Sequence, residues 1–465
     1  MEKNLCLPDG RRLIRKAENI SLFFKDMNVD EFEIYISASV NNEIEVFNQS
    51  VESLSHSDTS GVGIRIFKNK RAGYAWVNSF EDDKVKDCIS KAVLNAKAAG
   101  ADEFNGIPKK NEGRYPLCEN IEKFLFSEDF QKFSVDKKID MLKNIEVISR
   151  RKDKRIIGVD SLNYSDSINE TVILNSSGFK KGLLQTSSFV FLNLIAREDD
   201  DTSTGFGFAY GRDPGNFNLE EIANEAVRRS TMLLGARKIK SKSSTIILDP
   251  ISASQFLGVI ASAVTADAVQ KGKSLFKGKI NEKIFDIDLN IYDNGIMENG
   301  FSSKPFDAEG INKGKTAVFE NGELKTYLYD CYTARKDNML STGNASRASY
   351  RTPPSVGISN FYIEPGKADT NEIISRIKDG FYVIDVIGMH SGANPVSGDL
   401  SVGAKGVLVR DGDISEPVKE VTIASDLLSF CKKIEYVGND LEFFPSGGFV
   451  GSPTIVIKDI AISGN

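Results

Sequence analysis

The longest uncharged run in the chain, Pro250 to Ala266, lies between Asp249 and Asp267. A stretch this apolar must leave water, either in a bilayer or in a protein core. It carries Ser252, Ser254, Gln255, Ser262 and Thr265, and it falls short of the roughly 20 apolar residues that span a membrane. It therefore reads as a buried helix near 252–271.

A buried helix needs a wall on every side, and the second half of the chain supplies strands. Asn321-Gly322 separates Thr316-Ala317-Val318-Phe319 from Leu324 to Tyr329. Asp411-Gly412 separates Gly406 to Val409 from a segment ending at Val418. Both are hairpin turns in which glycine supplies the positive φ. Thr454 to Ile462 reads as a closing strand, and a short helix is expected near 371–378.

The first half mixes helices and strands. Residues 11–27 place Leu13, Ile14, Ala17, Ile20 and Phe24 on one helical face. Phe32 to Ala38 and Ile44 to Phe47 read as strands. Gly61 to Phe67 and Arg71 to Val77 flank Lys68-Asn69-Lys70 as a hairpin. Amphipathic helices follow Ser79, Ser134 and Asn218 as caps, with Gly100 and Gly235 closing the first and third. Strands run from Ile157 to Ser187 and on to Ile195. Residues 101–120 are polar and carry Pro108 and Pro116, so they read as a linker or long loop. Arg237 to Lys242 is a short basic stretch, read as a solvated linker or, alternatively, a patch for an anionic partner.

The expected class is α+β. An N-terminal mixed α/β domain, 1–240, has a possible sub-boundary near 101–120. A mostly antiparallel β-rich domain with one buried helix, 241–465, follows. The 465 residues are ample for a core without disulfides.

Charge and cysteines narrow the function. The net charge is −6, whereas nucleic-acid binding draws its affinity from basic patches that displace counterions; direct nucleic-acid contact is not expected. Cys6, Cys88, Cys118, Cys331 and Cys431 are an odd count without a CxxC, which fits reduced thiols in the cytoplasm. The start, Met1-Glu2-Lys3-Asn4, leads into no apolar signal region. A cytoplasmic protein off the membrane is expected.

Only two histidines exist, His56 and His390. A hydrolytic zinc needs three protein ligands, typically two histidines one helical turn apart plus a third group. No Cys, Asp or Glu stands three or four residues from His390. Glu52 precedes His56 by four, but that stretch reads as strand or loop, with no third ligand. His390, Cys331 and Cys431 could share a metal only if the fold brought them together. His56 reads as a surface or strand residue. No G-x-S-x-G elbow occurs. Glu198-Asp199-Asp200-Asp201 is either a hard-cation site or a solvated acidic loop. Gly205-Phe206-Gly207 with Gly211 is a faint phosphate-loop pattern without the following Lys-Ser/Thr.

An ordered series of motifs resembles the TldD/PmbA (TldD/TldE) metalloprotease family. It runs through Ser274-Leu275-Phe276-Lys277-Gly278, Pro305-Phe306-Asp307-Ala308-Glu309-Gly310, and Ala334-Arg335 leading to Ser341-Thr342-Gly343-Asn344. Pro365-Gly366-Lys367, Ser397-Gly398-Asp399 and Val437-Gly438-Asn439-Asp440-Leu441 continue it. Gly61-Val62-Gly63-Ile64-Arg65 extends the match more loosely into the first half. Catalytic members of the family carry an H-E-x-x-x-H helix shortly before the first of these motifs. Counting back places its histidine, glutamate and second histidine at Leu257, Gly258 and Ser262. Those members also carry a cysteine in a glycine-rich loop, where this chain has Phe444-Pro445-Ser446-Gly447-Gly448-Phe449.

Both departures resemble the PmbA/TldE branch. The resemblance implies a metal-free subunit, with no cofactor of its own and no catalytic residues, and with zinc only in a TldD-type partner. The pair would cleave extended or unfolded peptides. Asn344, Arg347, Tyr350, His390 and Asp399, in glycine-bounded loops of the matched region, are the expected groove residues. Two other readings stand beside it. One is a regulatory protein of the DNA gyrase modulator type, acting through protein contacts. The other is a homodimeric hydrolase with an unrecognised site.

Overall fold

The computed structural model describes residues 11–25, 27–445 and 448–464. Cys6, Ser446 and Gly447, noted in the sequence, lie outside the described residues. Helix α1 (Arg11–Leu22) buries Leu13, Ala17 and Ile20 against the first sheet. Strand β1 (Glu31–Phe47) then runs unbroken through the polar stretch that the sequence suggested would divide it. Strand β2 (Ser50–Lys68) returns beside it, with Asn41 opposite Ser57 and Asn42 opposite His56. Ten consecutive residues of β2, Ser50 to Thr59, are exposed. Backbone pairing, rather than apolar alternation, makes this half a strand, so hydrophobic periodicity could not reveal it.

The Asn69–Lys70 turn (φ 49° and 61°) leads into β3 (Arg71–Val77). Helix α2 (Asp82–Ala98) follows. Its cap position is Glu81, not Ser79 as expected; Ser79 Oγ lies outside the helix and accepts from the Glu81 N–H at 3.2 Å. Ala99, ahead of the expected Gly100, turns extended and ends the helix. Residues 101–120 form a loop held by the second half of the chain. Arg335 donates to the carbonyls of Gly106 and Ile107 and to the Glu112 carboxylate.

Ser134 and Asn218 cap α3 (Val135–Lys152) and α4 (Leu219–Met232), each accepting from the third N–H of its helix. Between them lie β4 (Ile156–Asn175), β5 (Lys180–Glu198) and β6 (Asp201–Gly211). The sheet order is β3-β2-β1-β4-β5-β6, antiparallel throughout. Even-numbered residues of β1 (Ile34, Ile36, Ile44, Val46) join the cores under the four helices. The odd-numbered Glu33 and Tyr35 face the other way, as a period of two requires, and meet the second half of the chain.

That half opens with β7 (Lys242–Leu248), α5 (Pro250–Ala263) and α6 (Ala266–Gln270). It continues with β8 (Ile291–Asn294), β9 (Lys315–Glu320), β10 (Glu323–Leu324) and α7 (Cys331–Lys336). Then come the short β11 (Ala345–Ser346) and β12 (Ser355–Val356), β13 (Asn360–Ile363), α8 (Thr370–Ser375), β14 (Asp379–Ile387) and α9 (Met389–Gly392). The chain ends with β15 (Asp399–Arg410), β16 (Asp413–Asp426), α10 (Leu427–Lys432), β17 (Ile434–Val437), β18 (Glu442–Pro445), β19 (Phe449–Ser452) and β20 (Ile455–Ser463).

Two six-stranded sheets result, β10-β9-β8-β13-β19-β18 and β16-β15-β14-β7-β20-β17. A further β16–β20 pairing closes the latter on itself. Only β13–β19 and β14–β7 pair in parallel among these strands. Phe256, Leu257 and Ile260 of α5 pack in one core with Ile246, Phe361, Phe381 and Ile457, drawn from both sheets. The molecule is α+β, with a mixed first half and a mostly antiparallel second half built around one buried helix.

Candidate functional site

Helix α5 begins where its sequence dictates. Asp249 accepts from the Ser252 N–H at 2.8 Å, and Pro250 fills the first helical position. The other Asp249 oxygen pairs with Arg229 of α4, so the cap is tied to the first half of the molecule. Along the helix, Leu257 turns into the core, 2 % exposed. Gly258 and Ser262 turn outward and line a groove of about 510 Å³ with Gln255, Val386 and His390.

His390 reaches the groove because Gly388 takes a positive φ of 81° and reverses the chain from β14 into α9. The Ser262 hydroxyl donates to the Val259 carbonyl at 2.8 Å. A hydrocarbon in the core, a glycine and a serine whose proton is already engaged do not fit a zinc centre. Among the described residues, no three His, Cys, Asp or Glu side chains stand together as a metal site. Cys331 and Cys431 are buried, and burial pushes the Cys431 thiol up to about 12. His56 is exposed on β2, its Nδ1 2.8 Å from Asn42 Oδ1.

The structure separates the five expected groove residues. Of them, His390 alone lines the α5 groove. Asn344 is buried; it donates to Asp293 at 2.7 Å and to the Gly357 carbonyl at 2.9 Å, and accepts from Thr342 at 2.7 Å. The Arg347 side chain is fully covered, paired with Glu33 and stacked 4.5 Å from the centre of the Tyr35 ring. Tyr350 packs edge-on to Trp76 at 6.0 Å, and a Cβ at Gly61 would meet its ring at 2.3 Å. Arg347 and Tyr350 thus fasten the second half of the chain onto the first sheet. Asp399 is exposed and accepts from Ser397 at 2.6 Å.

The acidic run at 198–201 is the β5–β6 turn, with Asp201 paired to Lys419 at 3.0 Å. The basic stretch lies along β16, where Lys238 pairs with Glu420 at 2.7 Å.

Arg347, alone of the five expected groove residues, lines a second cavity of about 310 Å³, between the outer face of the first sheet and the second half of the chain. Tyr35, Gln185 and Arg212 contribute from one side; Lys304, Asp307 and Lys313 from the other. One of the family-like motifs, Pro305 to Gly310, runs along its wall. That motif was the available signal, but its acidic residues hid the lysines beside it.

Models of three metallopeptidase domains match the chain in order. They are PmbA/TldA metallopeptidase domain 1 over residues 32–96, the central domain over 128–234 and the C-terminal domain over 241–464. The chain belongs to the PmbA/TldA metallopeptidase family. A metalloprotease PmbA homologue of Buchnera aphidicola (subsp. Acyrthosiphon pisum) is 26 % identical, over 97 % of each chain. Metalloprotease PmbA of Escherichia coli O157:H7 is 24 % identical over 93 % of this chain and 92 % of its own. The crystal structure of TldE from Thermococcus kodakarensis superposes with a TM-score of 0.83 at 26 % identity, covering 98 % of this chain and 99 % of that one. A Thermotoga maritima structure, named as a proposed modulator of a DNA gyrase, gives 0.87 at 26 % identity, with 97 % and 100 % coverage.

Proposed function

We propose that this chain is the metal-free, TldE-type subunit of a metallopeptidase, paired with a TldD-type subunit that carries the zinc, and that the pair acts on extended or unfolded peptides in the cytoplasm. The observation that carries this reading is the state of α5. The helix is intact, capped and packed, and its outer face opens on a groove, yet that face offers Gly258 and Ser262 where a hydrolytic zinc needs imidazole and carboxylate. A groove kept without its chemistry suits a subunit that shapes a shared chamber. The likeness to TldE and to PmbA proteins supports it. No helix among the described residues is long and apolar enough to cross a membrane.

The test mixes purified chain with an H-E-x-x-x-H homologue from the same organism. A stable complex on size exclusion, with cleavage of an unfolded peptide that neither chain achieves alone, is the expected result. The reading is wrong if no complex forms, or if the lone chain keeps stoichiometric zinc through dialysis. The name of the Thermotoga structure favours a second reading, modulation of gyrase through protein contacts. A pull-down that recovers gyrase and no TldD-type protein would select it.

A further inference from the structure

The cavity between the first sheet and the second half of the chain is lined by four cations, Arg212, Lys304, Lys313 and Arg347; Asp293 and Asp307 attract Lys313, and Glu33 pairs with Arg347. Arg212, just past β6, donates only to carbonyl oxygens: Thr186 at 2.8 Å, Phe301 at 2.6 Å and Gly300 at 3.3 Å. Its guanidinium lies 5.2 Å from the centre of the Phe301 ring. Lys313 donates to the Gly343 carbonyl at 3.0 Å. The Lys304 ammonium has no hydrogen-bond or ion-pair partner among the described residues. Lys304 is an exposed residue whose side chain lines the cavity.

The acidic groups nearby are already engaged. Asp307 accepts from three backbone N–H groups, those of Glu309, Ile311 and Ala345. Burial, then the Glu309 charge, pushes its carboxyl up to about 7. Asp293 is held by Asn344 and by the Ser359 N–H. Glu33 is committed to Arg65 and Arg347. The cations feel the imbalance. Desolvation by the cavity wall, then repulsion from Lys313 and Arg212, lowers the Lys304 ammonium toward about 8. Burial alone lowers Arg212 to about 10.

Gathering like charges around one cavity is costly, and where protein replaces water their pull on an incoming opposite charge is stronger. We propose that this cavity, through Arg212, Lys304 and Lys313, binds a small oxyanion: a carboxylate or a phosphate. Its volume suits a compact ligand. A planar guanidinium beside a free ammonium provides the charge-assisted donors that such oxygens take. Gln185 and Asn169 line the sheet side, where the Asn169 amide donates to the Ser167 hydroxyl at 2.7 Å. The site lies in this chain alone and does not rest on the peptidase-subunit reading.

Lys304 can report on its own site. Reductive methylation with carbon-13 formaldehyde labels the lysines, and the Lys304 signal is assigned by its loss in Lys304→Arg. Its NMR titration is followed at fixed ionic strength in chloride, with inorganic phosphate, with trialanine acid and with trialanine amide. The expected result is an upward move of the Lys304 midpoint, toward the ordinary lysine value, with phosphate or with the acid, and none with the amide. Phosphate alone acting marks a phosphate-bearing ligand; the acid alone acting marks a peptide C-terminus. Arg212→Gln, checked for folding by circular dichroism, should weaken the effective anion about tenfold, the loss of one charge-assisted contact. The proposal is overturned if neither anion moves the midpoint, if the amide moves it equally, or if Arg212→Gln leaves the response unchanged.

Discussion

Arg65 on β2 and Glu309 in the second half of the chain meet at 2.9 Å in a buried ion pair that joins the first sheet to the rest of the molecule. The same guanidinium reaches Glu33 at 2.8 Å, and Glu33 also holds Arg347. Removing one partner from such a network strands a charge away from water. Arg65→Met should therefore destabilise the protein by about 3–5 kcal/mol. The double variant Arg65→Met/Glu309→Gln should recover part of that loss, because no unpaired Glu309 carboxylate remains. Urea unfolding of the three proteins checks both statements; a loss under about 1 kcal/mol for Arg65→Met would contradict the network's role.

The buried carboxyls divide into two groups with opposite pH behaviour. Burial works against the Glu33 carboxylate, but Arg347 and Arg65 outweigh it and hold its pKa below the usual 4.5. Glu33 thus contributes stability present above about pH 4.5 and lost as the pH falls through its folded value. Burial, then the Glu309 charge, pushes Asp307 up to about 7 and Asp330 up to about 6, from 3.8. Their contribution is full below the unfolded value of 3.8 and lost as the pH rises through 6 and 7. Stability should peak near about pH 4 and fall by at least about 1 kcal/mol by pH 8. Asp307→Asn should flatten the upper limb and spare the acid one. Urea midpoints across this range provide the measurement.

What could be read from the sequence was local. The Asn321-Gly322 and Asp411-Gly412 turns have the positive φ pairs of 49° and 79°, and of 50° and 87°, that their residues suggest. Ser134 and Asn218 cap the helices they precede, and the uncharged run holds the buried helix α5, although the helix expected to reach 271 breaks at Val264-Thr265 into α5 and α6. The outer half of β2 was not legible, because its polar residues form a strand only by pairing with β1. Arg347 does line a cavity, the one against the first sheet, but it and Tyr350 are placed there by Glu33, Tyr35 and Trp76, some 300 positions earlier. The Arg212, Lys304 and Lys313 cluster draws on separate segments, and spacing cannot show what only folding brings together.

Along α5, two neighbouring faces make contrasting predictions. Leu257 packs in the main core, whereas Ser262 is exposed. Leu257→Ala should cost about 2–5 kcal/mol through lost burial and the cavity left behind. Ser262→Ala and His390→Ala should stay within about 0.5 kcal/mol of the parent. If the proposed complex forms, His390→Ala should still reduce its peptidase activity, since His390 lines the groove. Unfolding curves and peptide cleavage by the mixed subunits separate the two effects. A stable, fully active Leu257→Ala protein would show that α5 is not where the core is built.

Gly205-Phe206-Gly207 carried the faint look of a phosphate loop, and its place in β6 gives another reason for the glycines. A Cβ at Gly205 would meet the Ser230 nitrogen at 2.1 Å, and one at Gly207 would meet the Ile222 carbonyl oxygen at 2.1 Å. Both are backbone atoms of α4, so the helix lies directly on the strand. Phe206, on the opposite face, stacks with Phe191 at 5.6 Å and approaches Phe444 at 6.4 Å. Small residues toward the helix and large ones away from it form a packing pattern with a period of two. Gly207→Ala must push α4 off the sheet and should cost about 1–3 kcal/mol. Gly211→Ala is the control, since its nearest neighbour, in the Phe217 ring, lies at 3.5 Å, an ordinary contact. It should change stability by less than about 0.5 kcal/mol. Because α4 also carries Arg229, the partner of Asp249 at the α5 cap, the Gly207→Ala lesion should reach the groove. Hydrogen exchange should then quicken at the first turn of α5 in Gly207→Ala and stay at the parent rate in Gly211→Ala. Equal exchange in both variants would mean that the α4–α5 tie does not transmit the displacement.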